Sequence, residues 1–227
     1  MNALLLLLLD TRAPAGAHHH SGGIEAAVGT GLVAGLCDLE DFCQARLRTS
    51  ARVGASFAAA ACRLQDPRSA LDSWAELDAE FDARTPSAAT RAASRQLGGG
   101  LLRLIRSLQP ETALVTPWAR GGRPAPHHPL VLGAGVSLAG GSPELAARAA
   151  ALAACASPAS AAVRLLGLDP FAVQAMLARL APGIDDCARR AAKDAAGPPS
   201  SLPAYGAPAL DLLADFHLTA EVRLFAS

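Results

Sequence analysis

Histidine is the residue type whose placement in this sequence most suggests chemistry. His18, His19 and His20 are consecutive, and His127 and His128 form a second pair. Neutral imidazole is a common ligand of divalent transition metals, so either group could contribute to a metal site. No predicted helix places histidine or carboxylate at i and i+4, the spacing of a helical metal site. A metal site and a purely structural role in a loop therefore both stay open.

The Gly-rich segment 130–141, LVLGAGVSLAGG, is the part of the sequence most similar to a nucleotide-binding motif. A dinucleotide fingerprint needs a third glycine where its helix packs on the strand, and Leu138 stands there instead. A Walker-type loop needs Gly-Lys-Ser/Thr, but the one lysine, Lys193, lies in RRAAKDAAG. Ser137 lacks the closing glycine of a nucleophile elbow. The sequence therefore predicts neither an enzyme nor a P-loop NTPase.

Net charge and cysteine usage narrow the possible partners. The net charge is zero, which gives no whole-chain attraction to nucleic acid or to an anionic membrane, and we expect neither partner. The cysteines are odd in number and contain no Cys-x-x-Cys pair, so neither a disulfide framework nor a zinc knuckle is indicated. We expect them to be buried, reduced thiols of a cytoplasmic protein: Cys37, Cys43, Cys62, Cys155 and Cys187.

The opening stretch, MNALLLLLL, could be a secretory signal or the first helix of a folded domain. No lysine or arginine precedes the leucine run, and Asp10 and Arg12 close it. A secretory signal begins with basic residues, and a membrane-spanning helix needs about 20 apolar residues. We therefore expect a short apolar helix at the start of a soluble intracellular protein.

Frequent alanine and sparse β-branched residues favour helices over strands. A capping residue followed by proline marks a helix start, because the proline at the first helical position needs no donor. Such pairs occur at Asp66-Pro67, Thr85-Pro86, Ser142-Pro143 and Asp169-Pro170, and Asp38 is a fifth start. The chain is predicted to be all-α, a single-domain bundle of roughly eight to ten helices over 1–227. A loop at 116–128 and a Pro/Gly-rich connector at 197–208 interrupt it.

Apolar side chains recur at helical spacing after several of these starts. The stripe that follows Asp38 predicts one long helix, and two shorter stripes follow Asp66 and Asp169. All three are expected to form core and not a cofactor site. The stripes are Leu39, Cys43, Leu47, Ser50, Gly54, Phe57 and Ala61; then Leu71, Trp74, Leu77 and Phe81; then Val173, Met176, Leu177 and Leu180.

Charge is unevenly placed along the chain. Residues 66–82 hold six acids and one arginine, whereas residues 84–123 hold seven arginines and one acid. Two neighbouring helices that attract each other weakly would explain this, and so would a docking surface for an acidic protein. RNA is disfavoured because no aromatic side chains interleave with the arginines to stack bases.

Five motifs in order resemble the UreF family of urease accessory proteins. The resemblance runs from about residue 4 to the last residue, although His20 stands where the family usually has an aromatic and Asp169-Pro170 replaces a Gln turn. The motifs lie at Pro14, Gly16, Ser21, Gly23 and Glu25; at Arg91, Ser94, Gly98 and Leu101 to Leu104; in HHPLVLGAGVSLAGGSPE; in SAAVRLLGLDP around Arg164; and at His217, Arg223, Leu224, Phe225 and Ser227.

The resemblance implies an all-helical, dimeric, non-catalytic protein. Family members act with UreD (also called UreH) and the GTPase UreG to deliver nickel to apo-urease. The partner complex, and not this chain, would then handle nickel and GTP, and this chain would recruit and gate the GTPase. The partner-binding residues expected from the motifs are Glu25, Ser21, His20, Arg223 and Phe225.

Two further interpretations accompany the resemblance. The chain could instead be a carrier that binds nickel directly through His18, His19 and His20. Separately, Arg91, Ser94 and Gly98 share one helix face at i, i+3 and i+7, which predicts a close approach of another backbone there. Glu25 could also serve only as a helix cap, and Arg223 only as an anchor of the tail.

Overall fold

The computed structural model describes residues 3–10, 20–64, 71–110 and 124–218, and these residues form ten α-helices and no β-strand. The predicted all-α fold is confirmed. The helices are α1 (Ala3–Leu9), α2 (Ile24–Gly29), α3 (Leu36–Arg48), α4 (Ser50–Arg63), α5 (Leu71–Ala83), α6 (Ala88–Leu108), α7 (His128–Leu138), α8 (Pro143–Leu166), α9 (Pro170–Asp194) and α10 (Pro208–Leu218). A 3₁₀ turn, Pro199–Ser201, lies in the predicted connector before α10.

The two longest helices begin where the cap-proline pairs predicted. The Ser142 hydroxyl accepts the Leu145 N–H at 3.2 Å at the start of α8. Asp169 accepts the Phe171 N–H at 3.0 Å at the start of α9. The side chain of each cap satisfies a backbone donor that has no partner within its helix.

The predicted start of α6 at Thr85 is wrong by two residues. The cap is Ser87, whose hydroxyl accepts the Thr90 N–H at 3.2 Å. Thr85 does not cap because its hydroxyl donates back to the Phe81 carbonyl oxygen at 2.9 Å.

The single long helix predicted after Asp38 is also wrong. The backbone leaves the helical region at Thr49 (φ −124°, ψ −108°), and this divides the segment into α3 and α4. The Thr49 hydroxyl donates to the Ala45 carbonyl oxygen at 2.9 Å, inside the preceding turn. In addition, α3 begins at Leu36, and Asp38 reaches back to accept the Ala34 N–H at 2.9 Å. Most of the predicted apolar stripe is nevertheless buried, including Leu39, Cys43 and Phe57.

The core is centred on α4 and α8, which pack against each other. Helix α4 also contacts α7 and α9, and nearly every residue from Ala51 to Cys62 is buried. Small side chains permit this density: a Cβ at Gly133 of α7 would lie 2.0 Å from the Ala58 carbonyl oxygen of α4. The predicted stripe of α5 joins the same core through Trp74, Leu77 and Phe81.

Helix α8 is the one helix in the described ranges that is long and apolar enough to cross a membrane by length and composition. Core helices of soluble proteins share this property. It contacts α3, α4, α7 and α9, and it buries the face that carries Ala146, Ala151 and Ala159.

The five cysteines are free thiols. Four are buried as predicted, but Cys37, in the first turn of α3, is exposed. The short first helix is confirmed as α1, which buries Leu5 and Leu8 and contacts α7.

Candidate functional site

Two consecutive glycines in the region of the first family motif form a turn immediately before α2. Gly22 and Gly23 have φ values of 62° and 87°, in the left-handed region that favours glycine. The turn lets the Ile24 N–H reach the Ser21 carbonyl oxygen at 3.3 Å as α2 begins. We call residues 20–25 the entry turn.

Arg46 of α3 fastens the entry turn to the bundle. Its Nη1 donates to the Gly22 carbonyl oxygen at 2.7 Å, and its Nε donates to the Ala154 carbonyl oxygen of α8 at 3.0 Å. Burial lowers the pKa of Arg46. The guanidinium also lies 5.7 Å from the Phe42 ring centroid, a cation–π distance. The entry turn is thus held at the junction of α3 and α8.

Three predicted partner-binding residues lie in the entry turn. His20 is 7 % exposed and Ser21 is fully buried. Glu25 is partly buried in the first turn of α2, where the helix dipole stabilises its negative charge. In this arrangement Glu25 offers more surface to a partner than His20 or Ser21 does. Arg223, Phe225, His18 and His19 lie outside the described residues.

A cavity of about 1380 Å³ borders the entry turn. Its wall is mostly apolar and is drawn from both ends of the chain, from Leu8 of α1 to Ala214 of α10. His20 and His128 are among its polar residues. Burial, followed by electrostatic repulsion from nearby His20, lowers the pKa of His128 to about 4. His128 is therefore neutral near pH 7.

A second histidine, His127, which the sequence offered with His128 as a possible metal ligand, lies fully buried between α5 and α6. Its Nε2 lies 2.7 Å from Oδ1 of Asp82, and its Nδ1 lies 3.1 Å from Oγ of Ser94. The ring also packs against Phe81, with centroids 4.7 Å apart. We call Asp82, His127 and Ser94 the relay.

The direction of the proton donors in the relay follows from its chemistry. Burial lowers the pKa of His127, so the ring is neutral and carries one N–H. An ionised carboxylate only accepts, so this hydrogen is on Nε2 and points at Asp82, and Nδ1 accepts from the Ser94 hydroxyl. Burial alone would raise the pKa of Asp82, but the hydrogen bonds from His127 and Arg95 outweigh burial and lower it.

Arg95 closes the network around the relay. It pairs with Asp78 at 2.9 Å and with Asp82 at 3.1 Å, and its Nη1 donates to the Ala125 carbonyl oxygen at 2.8 Å. Asp78 in turn accepts the His127 N–H at 3.2 Å. The network therefore fixes the non-helical segment 124–127 between α5 and α6.

The relay contains the same three residue types as the catalytic triad of a serine hydrolase, but Ser94 has a structural role. Its Oγ accepts the His128 N–H at 3.3 Å at the start of α7, where His127 provides no side-chain cap. Ser94 therefore caps α7 from a neighbouring helix, and the relay orients that cap. The arrangement positions His128 in the cavity wall and provides no evidence of hydrolysis.

The predicted close approach at Arg91, Ser94 and Gly98 is confirmed. A Cβ on Gly98 would lie 1.9 Å from the Pro126 carbonyl oxygen. Arg91 Nη1 donates to the Thr85 and Pro86 carbonyl oxygens at 2.6 and 2.8 Å. This face of α6 thus contacts the residues just before the helix through Arg91 and the segment 124–127 through Gly98.

The uneven charge between 66–82 and 84–123 is partly used inside the fold. Arg95 pairs with the two α5 aspartates, and Arg84 pairs with Glu80 and donates to the Leu202 carbonyl oxygen at 3.2 and 3.1 Å. These contacts support the interpretation that the acidic and the arginine-rich segments lie on neighbouring helices that attract each other. Arg103 and Arg106 remain exposed on α6 and available to a partner.

Within the described ranges, no three His, Cys, Asp or Glu side chains are grouped so that they could hold a metal ion. His127 is held by the relay, which leaves His20 and His128 as the two imidazoles that line the cavity.

The described residues form an all-helical bundle in which Arg46 holds the entry turn against α8. The model of the UreF family matches residues 33–181, and the chain belongs to that family of urease accessory proteins. Members of this family are similar to the chain over nearly its full length. The urease accessory protein UreF of Mycolicibacterium vanbaalenii is 42 % identical over 225 residues, covering 99 % of this chain and 98 % of the relative.

Two other relatives give the same result. The urease accessory protein UreF of Mycobacterium marinum is 42 % identical, and that of Mycobacterium tuberculosis is 40 % identical. Each match covers 99 % of this chain and 98 % of the relative.

Proposed function

We propose that the chain supports nickel insertion into apo-urease as the UreF component of a complex with UreD/UreH and the GTPase UreG. The observation that carries the proposal is the full-length similarity to proteins named urease accessory protein UreF. The chain acts without catalysis of its own: it recruits the GTPase and gates its hydrolysis. Nickel and GTP are held by the partner complex, and the chain works as a cytoplasmic homodimer.

The contact with the GTPase is proposed to involve Glu25 and Arg223, with His20, Ser21 and Phe225 beside them. Helix α10 packs against α2, which carries Glu25. Arg223 follows the end of α10 by five residues, which span at most about 17 Å when extended. The two charged residues are therefore within reach of one partner surface. A desolvated ion pair or charged hydrogen bond there could favour one nucleotide state of the GTPase.

Co-purification tests the proposal. Tagged full-length chain, expressed with UreD/UreH and UreG, is expected to retain the GTPase. Arg223→Ala is expected to lose it without a change in Tm, while Arg190→Ala, at an exposed arginine of α9, is expected to retain it.

If the wild-type chain retains no GTPase, the proposed function is contradicted. If Arg223→Ala retains the GTPase but lowers Tm, Arg223 anchors the tail, and the proposed contact is wrong while the function stands.

A nickel-binding carrier is the second candidate, because His20 and His128 line one cavity and His128 is neutral near pH 7. Neutral imidazole is the form that binds metal. Titrating the isolated protein with Ni²⁺ separates the candidates. Tight stoichiometric binding that is abolished by replacing His18, His19 and His20 with alanine supports the carrier. Weak or absent binding supports the adaptor.

A further inference from the structure

Two thiols face each other across the junction of α3 and α8. Cys43 and Cys155 are both fully buried. The Cys43 Sγ lies 3.8 Å from the Cys155 carbonyl oxygen, and the Cys155 Sγ lies 3.9 Å from the Cys43 carbonyl oxygen. Because each sulfur reaches the backbone of the other residue, the two side chains point towards one another. The two sulfurs are therefore neighbours across this junction, as the partners of a disulfide have to be.

The two thiols are electronically unequal. A hydrogen bond from the Cys155 thiol lowers the pKa of Cys43, and the charge of nearby Arg46 acts in the same direction. The same hydrogen bond raises the pKa of Cys155 well above its usual range. The thiolate is the reactive form of cysteine, and Cys43 is the easier of the two thiols to ionise.

The pair lies one layer behind the wall of the cavity. Arg46 and Ala154 line the cavity, and Arg46 donates to the Ala154 carbonyl oxygen, next to Cys155 along α8.

We propose that Cys43 and Cys155 are a dithiol that hydrogen peroxide converts to an intramolecular disulfide. The Cys43 thiolate attacks one peroxide oxygen, the O–O bond breaks, and Cys43 becomes a sulfenic acid while hydroxide takes up a proton as water. The Cys155 sulfur then attacks the Cys43 sulfur, and the sulfenic oxygen leaves as water with the Cys155 proton. The two thiols supply the two electrons that reduce the peroxide.

The disulfide would fasten the junction that holds the entry turn. Arg46 of α3 binds both Gly22 and Ala154, so a covalent link between α3 and α8 restricts the same contact. The bond encloses a long loop, because its ends are 112 residues apart in sequence. Closing such a loop restricts the unfolded chain, and we expect Tm to rise by roughly 5–10 °C.

The test exposes the reduced full chain to hydrogen peroxide and maps cross-linked peptides by mass spectrometry without reduction. We expect a 43–155 cross-link, the loss of two thiols and full reversal by dithiothreitol. Cys43→Ser and Cys155→Ser are each expected to abolish the cross-link, while the control Cys62→Ser, at another buried thiol, keeps it.

A wild-type chain that stays folded by circular dichroism and forms no 43–155 cross-link overturns the proposal. A dominant link between Cys155 and the buried Cys187 overturns it as well. The readout is the bond itself, so its failure leaves the proposed function untouched.

Discussion

At the scale of single residues, the segment 124–128 depends on α6 lying unusually close to it. Gly98 permits the contact, and Ser94 and Arg95 bind the segment through hydrogen bonds. A glycine in a helix interior costs about 1 kcal/mol relative to alanine, so its presence at position 98 needs a compensating contact. The Pro126 carbonyl oxygen lies so close to Gly98 that it explains why this position is glycine.

Gly98→Ala is expected to lower the free energy of unfolding by about 3 kcal/mol, because the new methyl group collides with the backbone and outweighs the gain in helix propensity. Urea unfolding measures the change. Gly29→Ala is the matched control, since a Cβ there meets nothing within 4 Å, and its effect should stay within about 0.5 kcal/mol. A Gly98→Ala protein as stable as wild type would contradict the close approach.

The two neutral histidines predict a loss of stability in acid. Burial lowers the pKa of His127 and, to about 4, that of His128, so the unfolded chain binds protons first as pH falls below about 6.5. Stability is then retained above pH 6.5 and declines towards pH 4. His128 alone accounts for about 2 kcal/mol between pH 7.5 and pH 5.

Urea unfolding at the two pH values measures this decline, and His128→Asn should reduce it. Equal stability of the wild-type protein at pH 7.5 and pH 5 would show that these imidazoles are not held neutral.

At the scale of helices, α4 and α9 are joined by a charged contact inside an otherwise apolar interface. Arg52 Nε and Nη2 donate to Asp194 Oδ2 at 3.0 and 2.6 Å, and the Ser56 hydroxyl donates to the same oxygen at 3.1 Å. Asp194 ends α9, where a negative charge opposes the helix dipole. Its position is therefore explained by Arg52 and not by the helix.

Asp194→Ala is expected to cost about 2–3 kcal/mol, because it leaves the buried Arg52 without its carboxylate. Asp186→Ala, which removes only exposed pairs with Arg189 and Arg190 on the same helix, should change stability by less than about 1 kcal/mol. Thermal unfolding compares the two variants. Equal Tm values for both would refute the structural role of the Arg52 contact.

Local signals predicted most of the helices, because capping and apolar periodicity are properties of neighbouring residues. Ser142 and Asp169 are such cases, and so is the buried stripe of α5. The break at Thr49 could not be predicted, since the apolar stripe continues through it and only its backbone angles reveal two helices. Thr85 does not act as the predicted cap, because its hydroxyl has a competing acceptor in the preceding turn.

The candidate site was predicted less completely than the helices. The sequence indicated a close approach on the face of Arg91, Ser94 and Gly98, which the structure has. It did not reveal that Asp82 and His127, 45 residues apart, meet Ser94, because such contacts arise only when three elements pack together. The histidine in PAPHHP, beside a helix start, was the one available signal.

At the scale of the whole molecule, the described helices form a body in which α4 and α8 hold the core and the entry turn lies at the α3–α8 junction. Helix α10 joins the C-terminal part of the chain to α2. Glu25 of α2 and His217 of α10 thus belong to two helices that pack together, although nearly 200 residues separate them in sequence. The proposed partner surface depends on this arrangement.

The most direct test of the proposed function is the nickel content and activity of urease assembled with and without this chain. Urease subunits are expressed with UreD/UreH and UreG in a host that lacks its own UreF, and the purified urease is assayed for bound nickel. We expect loaded, active urease only when the chain is present. Urease that is equally loaded and active without the chain, or that stays empty with it, would contradict the account.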